Sequence, residues 1–127
     1  MKKYPNVTLK ILIRHRNKVL ILRHKNGIYD FPGGQLEFRE PLEDCIKREL
    51  VEELDYKLTT KPHLIHIWNY ISKNKQRHSV MVYYICVINK KPRLVSPEKL
   101  EVLWLDEKEI KKIIGDHDFV RQIYRWK

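Results

Sequence analysis

Residues 42–54 constrain this chain more than any other stretch, because there the inward arc of a helix carries glutamates. At about 100° per residue, with Leu42 at zero, Ile46 falls at about 40°, Leu50 at about 80°, Leu54 at about 120° and Cys45 at about 300°. Glu49 at about 340° and Glu53 at about 20° lie inside that apolar arc, with Glu52 at its edge at about 280°. Ionised carboxylates are almost never buried unless they are paired or bound to a metal. Two of them one turn apart raise each other's pKa unless a cation neutralises them. An all-oxygen ligand set favours Mg²⁺, with Mn²⁺ as a substitute, over zinc. The plainer alternative is a solvated acidic helix salt-bridged by Lys47 and Arg48.

The charge of the chain is segregated around this helix. Residues 37–55 hold eight acids and three bases, a local charge of −5 within a chain of +10. Residues 1–29 and 56–97 each carry eight Lys/Arg and no acid. Basic surface attracts phosphates, and a dense carboxylate cluster attracts a hard cation. A magnesium–polyphosphate substrate satisfies both, and the sixteen basic residues are expected to flank the site.

The length and mixed composition predict one globular domain over residues 1–127. Val7, Leu9, Ile11 and Ile13 alternate as a strand, with Leu12 on the other face, and Val19–Leu22 pairs with it. Asn26-Gly27 marks a tight turn before Tyr29–Phe31, and Pro32-Gly33-Gly34 is read as a break in regular structure. A helix is expected from Leu42 to Leu54, with Pro41 in its first turn. Leu64–Ile71 and Ser79–Ile88 read as an antiparallel pair around the loop Ser72–His78. After the short strand Val102–Leu105, Asp106 and Glu109 form a capping-box pattern for a helix ended by Gly115. A last helix within His117–Trp126 has Phe119, Val120, Ile123 and Tyr124 on one face. The fold class is α/β of the α+β kind, a mixed sheet flanked by helices.

Gly33-Gly34 before the helix frees the backbone to approach a ligand or direct its peptide groups at a metal or phosphate. Together, Gly34, Glu40, Arg48, Glu49, Leu50, Glu52 and Glu53, led by Phe31-Pro32-Gly33-Gly34, resemble the Nudix hydrolase signature of MutT-type proteins. One position departs: the family's glycine after the last glutamate is Asp55, a residue that tolerates the left-handed conformation better than most.

The resemblance implies an α/β/α sandwich and a Mg²⁺-dependent pyrophosphohydrolase. It implies Glu49, Glu52, Glu53 and the Gly34 carbonyl as metal ligands, and an Arg48–Glu40 ion pair that orients the helix. Family members take the general base from this helix or from a later loop. Glu98 is the loop candidate here, with Glu101 beside it. Gly33, Gly34 and Arg23, at the end of the second strand, are expected at the substrate. Nucleotide-type substrates follow, with a nucleoside triphosphate preferred. The alternatives are an RNA 5′ end, or a non-catalytic module holding a nucleotide or RNA.

The remaining signals are weaker. No apolar run reaches the roughly 20 residues of a membrane span, and Tyr4-Pro5-Asn6 interrupts what Met1-Lys2-Lys3 would need to open as a signal peptide. Cys45 and Cys86 read as buried reduced thiols, hence a cytoplasmic protein, monomeric or homodimeric. His63 and His66 are expected on opposite faces of their strand, as structural or exposed side chains. Tyr29, Trp68, Tyr70, Tyr83 and Trp104 are candidates for stacking on a base, although strand aromatics more often pack.

Overall fold

The computed structural model describes residues 3–127; Met1 and Lys2 lie outside the described residues. In chain order the elements are β1 (Asn6–His15), β2 (Lys18–Arg23), β3 (Tyr29–Asp30), β4 (Gly33–Gln35), α1 (Leu42–Leu54), β5 (His63–Ile71), β6 (His78–Ile88), β7 (Glu101–Leu105), α2 (Glu107–Ile114) and α3 (Asp118–Arg125). The strands form one mixed sheet in the order β3-β2-β1-β6-β5, with β4 also on β1 and β7 on β2.

The sheet is organised around β1, which runs parallel to β6 from Asn6↔Ser79 to His15↔Ile88 and antiparallel to β2 and β4. Its alternation divides the core in two. Leu9, Ile11 and Ile13 join Cys45, Ile46, Leu50 and Leu54 under α1. Leu12 joins Ile110, Phe119, Val120 and Ile123 beneath α2 and α3. All of these are buried, and each large aliphatic contributes on the order of 1.5–3 kcal/mol by leaving water. The expected strands and helices are all present.

Helix α1 spans the expected residues, but Pro41 stands one position earlier than expected, as the N-cap with φ −63° and ψ 148°. Its fixed φ suits either place, and the Cys45 N–H reaches back to its carbonyl at 3.1 Å. At the other end Asp55 is left-handed, φ 49° and ψ 39°. The Asp55 and Tyr56 N–H groups donate to Val51 and Leu50 carbonyls, closing the helix as the family glycine would. Asp106 and Glu109 make both hydrogen bonds of a capping box at α2.

Two expectations are corrected. Gly33-Gly34 does not break regular structure; with Gln35 it forms β4, in register Lys10↔Gly33, Leu9↔Gly34 and Thr8↔Gln35. A Cβ on Gly33, at φ +150°, would collide with the Leu9 carbonyl, so glycine is what lets this strand lie against β1. His63 and His66 share a face, because a bulge at Leu64/His66 pairs them with Ile85 and Tyr83, which point the same way. One extra residue reverses the alternation beyond it. Both rings pack on the α3 side, His66 stacked on Phe119 at 4.7 Å and His63 5.9 Å from Trp126.

Candidate active site

The site is built where α1 meets β4. The Gly33 N–H donates to Glu53 Oε1 at 2.7 Å, tying the C-terminal half of the helix to the glycine strand. One turn earlier, the Glu49 carboxylate lies directly over Gly34, in space that any Cβ at that position would occupy. Glu49 is 8% exposed, the one buried charged residue among the described residues. Two acidic side chains thus crowd against a backbone kept bare by glycine, as the helical wheel predicts.

Burial sets the electrostatics of this pair. Desolvation raises the Glu53 pKa to about 7, against the lowering effect of the Gly33 N–H and the Lys10 charge. Glu49 and Glu98 push it in the same upward direction, so the Glu98 charge, on the loop before β7, lies within electrostatic reach of Glu53. Glu49 is also raised, mainly by desolvation, even though Arg48 Nη1 donates to it at 2.8 Å. Negative charge is therefore left incompletely neutralised where α1 meets β4.

Arg48 gathers the rest of the acidic segment. Its Nε donates to Glu40 Oε2 at 2.7 Å and its Nη2 to Glu40 Oε1 at 3.0 Å, while Nη2 also donates to the Gln35 carbonyl at 3.0 Å. This grip brings Glu40 to about 2, with the Arg48 hydrogen bonds as the leading cause. Nη1 is 3.4 Å from Glu52 and 3.7 Å from Glu37. The predicted ion pair is thus the centre of a network that fastens the Glu37–Glu40 loop to α1 and β4.

The donor set suits a hard divalent cation: carboxylates of Glu49, Glu52 and Glu53 with the backbone of Gly34, all oxygen. The bare cradle at Gly34 and the raised carboxylates fit such an ion. Among the described residues no three His, Cys, Asp or Glu side chains stand close enough to enclose an ion as they are. Glu52 is exposed and directed at Arg48.

Arg23 ends β2 opposite Glu101, 3.6 Å from its carboxylate, with its guanidinium 5.7 Å from the Tyr29 ring. Both partners of that ion pair are about half exposed. Two of the basic residues are engaged away from the α1 glutamates. Arg14 donates to the Tyr124 and Trp126 carbonyls, and Lys18 pairs with Glu109 at 3.6 Å. Lys10 is the one that sequence reasoning missed. It pairs with Asp30 at 2.7 Å and acts electrostatically on Glu53. The available signal was a lysine, next to Thr8 in period two, on a strand otherwise apolar at its centre.

On the α3 side of the sheet, a cavity of about 750 Å³ opens beside Asp30 and Phe31. Phe31, Tyr83 and Phe119 supply aromatic surface, and Asp118 and Gln122 supply polar groups. Trp104 packs elsewhere, against the α1-side core, with the Lys91 ammonium 5.3 Å from its ring.

The NUDIX domain model matches residues 3–127. An ADP-ribose pyrophosphatase from Methanocaldococcus jannaschii is 25% identical over all of this chain and 80% of its own length. An 8-oxo-dGTP diphosphatase from Buchnera aphidicola is 28% identical over 81% of this chain and 78% of its own. The crystal structure of a MutT NUDIX hydrolase from Burkholderia pseudomallei superposes with a TM-score of 0.73 at 23% identity, covering 97% of this chain and 98% of that one.

Proposed function

The chain belongs to the NUDIX family, as a hydrolase acting on acid anhydrides, and from that premise we propose that it cleaves a phosphate–phosphate bond in a nucleoside triphosphate group with Mg²⁺ as its cofactor. The observation that carries this reading is the pair Glu49 and Glu53, desolvated on the inward face of α1 and set against the Gly33–Gly34 backbone. Relatives named for ADP-ribose and 8-oxo-dGTP support a nucleotide substrate.

When bound, the cation screens phosphate charge and lowers the pKa of a water ligand. Glu49, Glu52, Glu53 and the Gly34 carbonyl would hold it. Arg48, locked to Glu40, keeps α1 in register with β4 so that these oxygens stay on one side of the cleft. Lys10 places a positive charge near Glu53, where phosphate oxygens pass. Glu53 and Glu98 are the two candidates to accept the proton of the attacking water. Glu53 would serve as base only where it does not also ligate the cation, whose charge would lower its pKa; Glu98 carries no such conflict. The cavity at Phe31 and Tyr83 takes the base, with Asp118 and Gln122 reading its polar edge. Arg23 is proposed to contact the phosphate chain when it exchanges Glu101 for substrate.

The test is a hydrolysis panel with purified protein and Mg²⁺: nucleoside triphosphates, ADP-ribose and a dinucleoside polyphosphate. Phosphate or pyrophosphate release from at least one, abolished by EDTA and by Glu53→Gln, is expected. A folded protein that cleaves none of them overturns the reading.

A further inference from the structure

The sheet face that carries the base cavity does not end at α3. Strand register sets three rows of side chains across it: His66, Tyr83, Lys10; then Trp68, Met81, Thr8, Gln35; then Tyr70, Ser79, Asn6. Helices α2 and α3 cover the end around Leu12 and Ile85. Past them lies an open groove of about 350 Å³, which shares Asp30, Trp68 and Tyr83 with the base cavity. It runs from Gln35 of β4, two residues from the Gly33 that holds Glu53, out to β5. That is three interstrand spacings, about 14 Å.

The chemistry along the groove is specific. Trp68 and Tyr70, 42% and 45% exposed, stand as neighbours on its outer wall with rings 6.5 Å apart. Lys10 lies at the inner end, and Arg77 and His78 at the outer end, where the β5–β6 hairpin turns. The hairpin loop adds Lys73 and Lys75, and no acid occurs anywhere in residues 56–97. The one carboxylate lining the groove, Asp30, is already bonded to Lys10. Stacking faces with Arg77 beside them, and no carboxylate beyond the paired Asp30, suit a single-stranded polynucleotide, whose bases stack and whose phosphates are neutralised.

Resting on the proposed phosphohydrolase reading, we infer that this groove binds a polynucleotide chain, the nucleotides that follow a 5′-terminal triphosphate entering the site. The first base occupies the cavity at Phe31. The next one or two bases stack on Trp68 and Tyr70, and Arg77 with the hairpin lysines meets the backbone phosphates. A free nucleoside triphosphate fills only the inner part. A dinucleoside polyphosphate could place its second ring on the aromatics, but it has no backbone beyond that ring for the hairpin cations to contact.

Tyr70→Ala/Arg77→Gln alters two exposed side chains that lie outside the cavity and the glutamate cluster. The test compares this variant with the parent on three substrates: a nucleoside triphosphate, a dinucleoside tetraphosphate and a 5′-triphosphorylated RNA hexamer, across a salt series. The parent is expected to prefer the hexamer, with kcat/KM falling more steeply with salt than for the free nucleotide. The variant is expected to lose about tenfold or more on the hexamer, with a shallower salt slope, and to keep the free nucleotide within about twofold. An equal loss on all three substrates, no hexamer preference in the parent, or a selective loss on the dinucleoside compound overturns the proposal. Fluorescence anisotropy with a labelled 5′-phosphorylated hexamer separates the two readings. Hexamer binding that weakens in the variant, in a parent that hydrolyses nothing, upholds the groove and removes the catalytic reading. Hydrolysis of free nucleotides without hexamer binding does the reverse.

Discussion

Arg48 and Glu40 are joined by two parallel hydrogen bonds, Nε to Oε2 at 2.7 Å and Nη2 to Oε1 at 3.0 Å, across the turn that leads into α1. The planar fork of a guanidinium makes this geometry, and an ammonium cannot reproduce it. Arg48→Lys should therefore keep the charge and lose the alignment. Activity is expected to fall by roughly 10–100-fold, as for other groups that orient metal ligands, with a weaker apparent affinity for Mg²⁺. Metal titrations of kcat for both proteins check this; unchanged turnover and metal dependence would mean that the pair only decorates the surface.

Glu53→Gln keeps shape and removes charge. Turnover should drop by at least about a hundredfold, as when a ligand or base is lost. Stability should hold or rise, because the desolvated charge is gone.

The same residue sets a pH dependence in the metal-free protein. The folded pKa of Glu53 stands at about 7, above the ordinary carboxylate value, because of burial. The folded state therefore holds this proton more tightly than the unfolded chain. The group costs nothing below the unfolded pKa, and its penalty grows as pH rises through the interval up to about 7. In EDTA, the Tm difference between Glu53→Gln and the parent should widen in favour of the variant from about pH 4.5 to about pH 7 and then level off. A difference that stays flat across this range would place Glu53 in contact with water.

Asp55 occupies a left-handed cap with φ 49° and ψ 39°, where glycine has no Cβ to strain. Asp55→Gly should raise stability by up to about 1 kcal/mol and leave kcat close to the parent value. Chemical denaturation of the pair measures it. A lower midpoint in the variant would reveal a contact of the Asp55 carboxylate that offsets the strain.

Cys45 and Cys86 are both buried, and desolvation is the leading cause that pushes each thiol up to about 12. At pH 8 roughly one thiol in ten thousand is ionised, and that one is shielded. A thiol reagent should label both at a rate that follows unfolding and accelerates with denaturant. A fast stoichiometric phase in the native protein would contradict this burial.

What the sequence alone determined lies within single elements or between close neighbours along the chain. The inward arc of α1 places Glu49 and Glu53 among Ile46, Leu50 and Leu54 because one period of 3.6 residues governs the whole helix. The spacing from Gly34 to Glu53, the capping box at Asp106 and the left-handed Asp55 are likewise local. What only the tertiary structure decided depends on register between distant strands. Lys10 meets Asp30 because β3 is laid on β2 and β4 on β1, the latter a pairing that Gly33 permits by having no Cβ against Leu9. His63 and His66 share a face because one bulge shifts the β5 alternation, a shift that period two alone does not reveal. The groove between Gln35 and Tyr70 exists because four strands, drawn from opposite halves of the chain, align their polar residues on one face. Burial of Leu9 and Val82 on the opposite face of β1 and β6 sets that alignment, β5 follows through its pairing with β6, and the energy is summed over paired strands rather than written in any one segment.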